Sequence, residues 1–299
     1  MKTTTVGKRG VVFSFDDFST DTYFCPTNVY VINGNKHIFI CDTFLGPESM
    51  SGVKKYIQQN FGDKPIIIFN SHYDYDHHWG NCAFESEMIL SHKLCKETIA
   101  KQGESDLEKF KKWLRGEVKI VLPTVVFDQD YNFQDEGVLF FHSPGHTVDS
   151  SSCYDGWDKI LFVGDNIEEP IPYIRSNMVG VHKYITSLEN YLKFDFDTLI
   201  VGHGSIASKE LLQQNLDYLK AFPNLVAQVD LEKNGITFYK THLQNLSTLA
   251  EELVKDGDFK GAISYNQEFI DLGLKYNLIE KETKDRFEEK INEIKRKLI

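Results

Sequence analysis

The chain has 299 residues, of which 41% are hydrophobic, 13% aromatic and 26% charged. That composition belongs to a globular protein with material for a core and excludes disordered or collagen-like chains. Lys and Arg number 33 against 44 Asp and Glu, a formal net charge of −11, which disfavours electrostatically led binding to phosphate backbones, and no nucleic-acid partner is expected.

In chain order, the first 17 residues, MKTTTVGKRGVVFSFDD, hold no apolar run of the roughly 7–15 residues a signal peptide needs. No later segment approaches a membrane span, and no membrane partner is expected. The first two strands are read at TNVYVI and HIFICDTF, flanking Asn33-Gly34-Asn35, the signal of a tight hairpin. A helix is predicted from about Pro47, with Met50, Val53, Tyr56, Ile57 and Phe61 near helical spacing and Gly62 as its stop. PIIIFN follows, apolar on both faces and hence central in its sheet. Further helices are expected over 91–101 and 106–114. Strands are expected over 118–127, 138–142, 159–163 and 198–201, a layered α/β pattern. The five cysteines, Cys25, Cys41, Cys82, Cys95 and Cys153, are odd in number and lack C-x-x-C spacing, which reads as reduced thiols in a cytoplasmic protein.

Beyond Ala207 nearly everything reads as helix. Leu243, Leu246, Ala250, Leu253 and Val254 share one face, and Phe287, Ile291, Ile294 and Leu298 follow at 4-3-4 spacing. GDFKGAISYNQEFIDLG is similar to one hairpin of a helical repeat, but without a second copy it reads as part of a helical appendage packed on the core. Two regions are therefore expected, 1–222 and a helical extension over 223–299. The extension could cap the site, dock a partner or form a homo-oligomer interface. Lys290 to Lys297, interleaved with Glu and apolar residues, reads as a solvated helix face.

The chemistry lies where the apolar runs end. PIIIFN leads into Ser71-His72-Tyr73-Asp74-Tyr75-Asp76-His77-His78, and VLFFHSPG into His146. KILFVG leads into Asp165, and TLIVG into His203. Groups at strand ends can converge on one sheet edge, where α/β proteins place their sites. Neutral imidazole with carboxylate is a ligand set for zinc, iron or manganese. A single His at a strand end would mean little; four such ends together point to metal.

These motifs resemble the metallo-β-lactamase superfamily signature H-x-H-x-D-H followed by His, Asp and His. His72, Asp76 and His77 match the first motif and Ser143-Pro144-Gly145-His146-Thr147 the second. Leu161-Phe162-Val163-Gly164-Asp165 matches the third and Gly202-His203-Gly204 the last. The resemblance spans about residues 11–205 and implies a four-layer αββα sandwich with a two-metal site at a sheet edge. It places His72, Asp74 and His146 on one ion and Asp76, His77 and His203 on the other, bridged by Asp165. One departure stands out: position 74, a His in the commonest pattern, is Asp. Two divalent ions with Asp74, Asp76 and Asp165 leave a net charge of +1, against +2 with His at 74. Zinc is the first expectation for the two divalent ions, and the harder oxygen donor adds iron or manganese.

The implied activity is hydrolysis of an ester-like small molecule (thioester, lactone or phosphoester) by a water or hydroxide bridging the ions, with Asp76 orienting the nucleophile and, where it is water, taking its proton. Asp165 argues against the β-lactam-opening subclass that carries Cys at that position. The carboxylate at 74 also resembles flavodiiron oxygen reductases, so a di-iron redox protein is the alternative, with a non-catalytic scaffold third. Tyr73, Tyr75, His78 and Trp79 flank the ligand loop and either line the pocket or buttress the loop. Arg175 could hold a substrate carboxylate or phosphate, or simply stand in solvent; His182 lies in the same downstream segment. His37, His92 and His242 fall outside every motif.

Overall fold

The computed structural model describes residues 1–20, 24–175, 180–221 and 231–298, with backbone alone for 231–234. The first sheet takes β1 (Lys2–Val6), β2 (Gly10–Phe15), β3 (Thr27–Asn33) and β4 (Ile38–Cys41), then passes through α1 (Pro47–Asn60) to β5 (Ile66–Asn70). The single turn α2 (Tyr75–His78) leads on to β6 (Met88–His92), α3 (Lys93–Lys109) and β7 (Val125–Phe127). These strands lie side by side in chain order, antiparallel up to β4 and parallel from β4 to β7.

The second sheet contains β8 (Asp130–Phe133), β9 (Val138–His142), β10 (Ser151–Asp155), β11 (Ile160–Phe162) and, after α4 (Val181–Tyr191), β12 (Thr198–Ile200). Its spatial order is β12-β11-β10-β9-β8, with only β11 and β12 parallel. Among the described residues, four helices follow: α5 (Lys209–Ala221), α6 (Leu231–Lys255), α7 (Phe259–Lys275) and α8 (Lys281–Arg296).

Strand alternation builds the layers. In β5, Ile67 and Phe69 point between the sheets and meet Phe140 and Phe162, whereas Ile68 points outward to Val53 and Ile57 of α1. Such a strand is apolar on both faces because both are covered. Each large side chain buried this way contributes roughly 1.5–3 kcal/mol. On the far side, Leu161 and Leu199 of the second sheet join Leu188, Leu216, Leu246, Phe269 and Phe287 in one cluster. The last helices thus share a core with the second sheet and complete the αββα sandwich with its helical extension. The boundary expected at residue 222 lies outside the described residues.

Several expectations need correction. β1 and β2 form an unexpected hairpin before the first expected strand. The hairpin expected at Asn33-Gly34-Asn35 does form, Asn33 pairing with Ile38, and Glu136 holds its turn by accepting the N–H groups of Asn35, Lys36 and His37 at 2.6, 2.7 and 3.1 Å. The two helices expected over 91–114 are one: Ser91 and His92 end β6, and Gly103 sits inside α3 against Ile120. Of the run 118–127 only Val125–Phe127 pairs, since Pro123 brings no N–H to a ladder. GDFKGAISYNQEFIDLG is not a hairpin but one helix, α7, capped by the Asp258 carboxylate accepting from Gly261 N–H. Phe287, Ile291 and Ile294 are buried as the spacing required, while Leu298 is exposed.

Candidate metal centre

The parallel strands β4 and β5 bring their C-terminal ends together, and β9, β11 and β12 run in a common direction in the other sheet. The two edges are joined by Ser151 N–H to Ser71 O at 2.8 Å and Asn28 N–H to Gly202 O at 2.8 Å. The loops after these strands therefore converge. Beyond β5 the chain turns through Asp74, the N-cap of α2, whose carboxylate makes no capping bond and faces His72 Nε2 at 3.2 Å.

Asp165 stands at the middle. Its Oδ2 lies 3.6 Å from His72 Nε2, 3.3 Å from His77 Nε2, 3.8 Å from His146 Nε2 and 3.5 Å from His203 Nε2. Asp74 Oδ2 is 3.5 Å from His146 Nε2, and Asp76 Oδ2 is 3.1 Å from His203 Nε2. Two groups result, His72–Asp74–His146–Asp165 and Asp76–His77–His203, and within each the donor atoms lie within 4.8 Å of one another.

Each imidazole turns its other nitrogen to the protein. His77 Nδ1 donates to Asp42 Oδ2 at 2.8 Å, and His72 Nδ1 meets Ser71 Oγ at 3.0 Å, which itself donates to Asp42 Oδ2 at 2.7 Å. His203 Nδ1 meets Thr27 Oγ1 at 3.2 Å, and His146 Nδ1 lies 3.4 Å from Glu168 Oε1. The His146 loop is held by Asn166, whose Oδ1 accepts His146 N–H at 2.9 Å while its Nδ2 donates to Tyr191 Oη at 2.7 Å. Such contacts fix ring orientation and basicity.

Burial pushes the Asp165 carboxyl up, but the surrounding imidazoles, His77 first, hold it well below the usual carboxylate range. Asp74 is likewise held down against burial, by His146, His72 and Arg175. For His146, burial is outweighed by Asp74 and Glu168, which raise the ring to about 9. A buried cluster of anionic carboxylates and imidazoles that favours positive charge fits divalent cations. His77 Nε2 and Asp165 Oδ1, both buried, find no hydrogen-bond partner among the described residues, so the donor set has capacity left for an ion.

All seven expected ligand positions meet here, and so does Arg175, whose Nη1 touches Asp74 Oδ2 and lies 3.2 Å from His146 Nε2. The cleft above has a volume of about 260 Å³ and is walled by Cys25, Glu168, Tyr173 and Arg175. Tyr73 lies behind Arg175, its Oη 3.5 Å from Nη2. Of the two roles open to the other residues beside the ligand loop, the packing of Tyr75, Trp79 and His78 accords with the buttressing one. Tyr75 stacks on Phe110 at 4.4 Å, Trp79 is fully buried in the core outside the first sheet, and His78 is buried with its ring pushed down to about 4. These side chains buttress the loop. His182 stands exposed on the first turn of α4 and does not line the cleft.

Asp42, Glu168, Tyr173, Asn166 and Cys25 were not anticipated. Asp42 had a signal, since HIFIC runs into it as the other apolar strands run into their ligands; Glu168 and Tyr173, in an irregular loop, had none.

The match to known proteins covers the same region. Residues 22–203 match the family described as Metallo-beta-lactamase superfamily. The 2,4-dinitroanisole O-demethylase subunit alpha of Nocardioides sp. (strain JS1661) is 23% identical over 177 residues, 58% of this chain and 51% of that protein. The chain thus spans about half the length of the curated relative it matches. Among solved structures, a metallo-beta-lactamase from Pontibacter korlensis aligns with a TM-score of 0.59 at 17% identity, over 73% of this chain and 98% of its own. A metallo beta lactamase from Hirschia baltica gives 0.57 at 17% identity, over 73% and 96%. Both likenesses concern the fold. With the family match covering more than half of its length, the chain belongs to the metallo-β-lactamase superfamily, a metal-dependent hydrolase fold.

Proposed function

We propose that this protein is a two-metal hydrolase of a small ester-like substrate: a thioester, lactone or phosphoester. The observation that carries the reading is Asp165 Oδ2 within 3.3–3.8 Å of four imidazole Nε2 atoms, with Asp74 and Asp76 on either side at the foot of a cleft. His72, Asp74 and His146 would hold one ion and Asp76, His77 and His203 the other, with Asp165 shared. Divalent ions bound there acidify water and polarise a substrate oxygen.

The remaining steps belong to the chain. Asp76 lines the cleft, and His77 and His203 hold its carboxyl below the usual range against the effect of burial, so it is anionic and able to orient water and accept a proton. Asp42, Ser71, Thr27 and Glu168 keep the imidazoles from rotating. Tyr173 and Arg175 form the wall against which the acyl or phosphoryl group lies.

The test is elemental analysis of protein made without added metal and never exposed to chelator, followed by a substrate panel. About two equivalents of zinc or manganese, with turnover lost in His146→Ala and Asp165→Ala, support the reading. The demethylase relative's name adds activated aryl methyl ethers to the panel. Two equivalents of iron would turn attention to Asp74 and to dioxygen or peroxide reduction. Full metal and full activity in both variants would show the site to be misassigned.

A further inference from the structure

The two halves of the centre differ in one respect the ligand set does not account for. The cationic partners of Asp76 among the described residues are imidazoles, His203 at 3.1 Å and His77 at 3.6 Å. Asp74 faces His72 and His146 and, in addition, a guanidinium. Arg175 Nη1 touches Asp74 Oδ2 and lies 3.2 Å from His146 Nε2, so one permanent cation addresses the same two atoms that an ion in that half would use.

This placement is built, not incidental to a loose loop. The segment that leads from Asp165 to Arg175 is gripped through its main chain by side-chain amides of α5 and α6. Asn215 accepts Glu168 N–H at 3.1 Å and donates to Glu168 O at 3.0 Å. Gln214 donates to Pro170 O at 2.7 Å, and Asn245 spans the last step, donating to Pro172 O and accepting Ile174 N–H, both at 2.8 Å. Asn245 is itself fixed by Tyr218 Oη at 2.9 Å, and both are buried. Beyond Ile174, the Arg175 guanidinium lies over the Tyr73 ring, 5.8 Å from its centroid.

We propose, building on the two-metal reading above, that Arg175 is a resident cation of the centre and makes its halves unequal. The Asp76–His77–His203 half loads first and tightly. The His72–Asp74–His146 half takes an ion only as Arg175 gives up Asp74, and so binds it more weakly. A unit positive charge a few ångströms from a divalent ion lowers affinity on the order of tenfold or more even with strong screening. Asn245 is a positioning residue for that cation, acting through the main chain of residues 172–174.

The experiment titrates the full-length, metal-free protein with Co²⁺, following heat and the visible ligand-field bands, and needs no substrate. Wild type should take one tight equivalent and a second at least tenfold weaker. Arg175→Ala should tighten the second equivalent at least tenfold and leave the first unchanged. Arg175→Lys, which keeps the charge, should retain the weak second site, and Asn245→Ala should tighten it part-way, with circular dichroism checking that each variant is folded. Two equivalents of equal affinity in wild type, or an Arg175→Ala variant with its second site unchanged or weakened, would overturn the proposal while leaving the two-metal reading intact. Failure of wild type to bind any Co²⁺ would overturn both.

Discussion

Asp42 Oδ2 and His77 Nδ1 meet at 2.8 Å, and that hydrogen bond decides which nitrogen of His77 faces Asp165. Asp42 also accepts Ser71 N–H at 2.7 Å and Ser71 Oγ–H at 2.7 Å, so one buried carboxylate orients both His72 and His77. Its φ of 60° is a left-handed conformation that Asn tolerates. Asp42→Asn should therefore keep the fold while placing an amide donor among donors. Metal affinity, read by competition with a chelator, is expected to fall about 10- to 100-fold. An affinity within about twofold of wild type would show that His77 needs no such partner.

Gly202 is a second point of control. A Cβ there would lie 2.0 Å from Asp165 Oδ1 and 3.1 Å from His77 Cε1. Gly202→Ala must displace the central carboxylate, and metal content by elemental analysis should drop sharply. Gly257→Ala is the contrast: its φ is +81° with nothing within 4 Å, so it should cost about 1–2 kcal/mol in stability and leave metal content alone. Equal metal content in the two variants would contradict this account.

Arg9 and Asp155 tie the first sheet to the second. Arg9 Nη2 lies 2.5 Å from Asp155 Oδ1 and Nε 3.0 Å from Oδ2, with the carboxylate fully buried. Arg9→Met leaves that charge uncompensated and should cost about 3–5 kcal/mol in urea unfolding. Adding Asp155→Asn should recover part of the loss. If the double variant is as unstable as the sum of the singles, the pair is not coupled.

The fold also carries an acid-sensitive contact away from the cluster. His92 at the end of β6 stacks on His142 at the end of β9, centroids 3.9 Å apart and planes within 7°. Burial first, and then the charge of His142, push His92 down to about 4. Between pH 6.5 and 4 the unfolded chain binds a proton there that the folded one refuses, so stability falls as pH falls, by on the order of 1–3 kcal/mol. His92→Asn keeps an acceptor for Leu94 N–H at the start of α3 and removes the titration. Its unfolding free energy should be flatter across that window, and a slope equal to wild type's would disprove the assignment.

The convergence of the seven His and Asp was legible because such residues at the ends of apolar strands are chemically conspicuous, and strand direction does the rest. Asp42 was legible by the same rule. β10 was not: Ser151 and Ser152 lack the apolar signature of a buried strand, yet both are buried, and Ser152 Oγ is satisfied by Tyr191 Oη at 2.7 Å and Ser143 Oγ at 2.8 Å. Tertiary partners made those hydroxyls acceptable inside, and no local pattern reports such partners. Asn215 and Asn245 were hidden for the same reason, since a helical Asn reads as surface until its partner loop is known. His92 and His142 show the limit most clearly: each is an isolated His on its own strand, and only the packing of the two sheets makes them a pair.

The amides of Gln214, Asn215 and Asn245 hold peptide groups, not side chains, of the segment they grip. That wall of the cleft can accordingly change its chemistry by single substitutions at Tyr173 or Arg175 while its path stays the same. In a lineage, new preferences could accumulate there without rebuilding the loop. Asn245 has the opposite character: one exchange on α6 would unsettle every preference the wall had acquired. Natural variation in such chains should therefore be broad at 173 and narrow at 245.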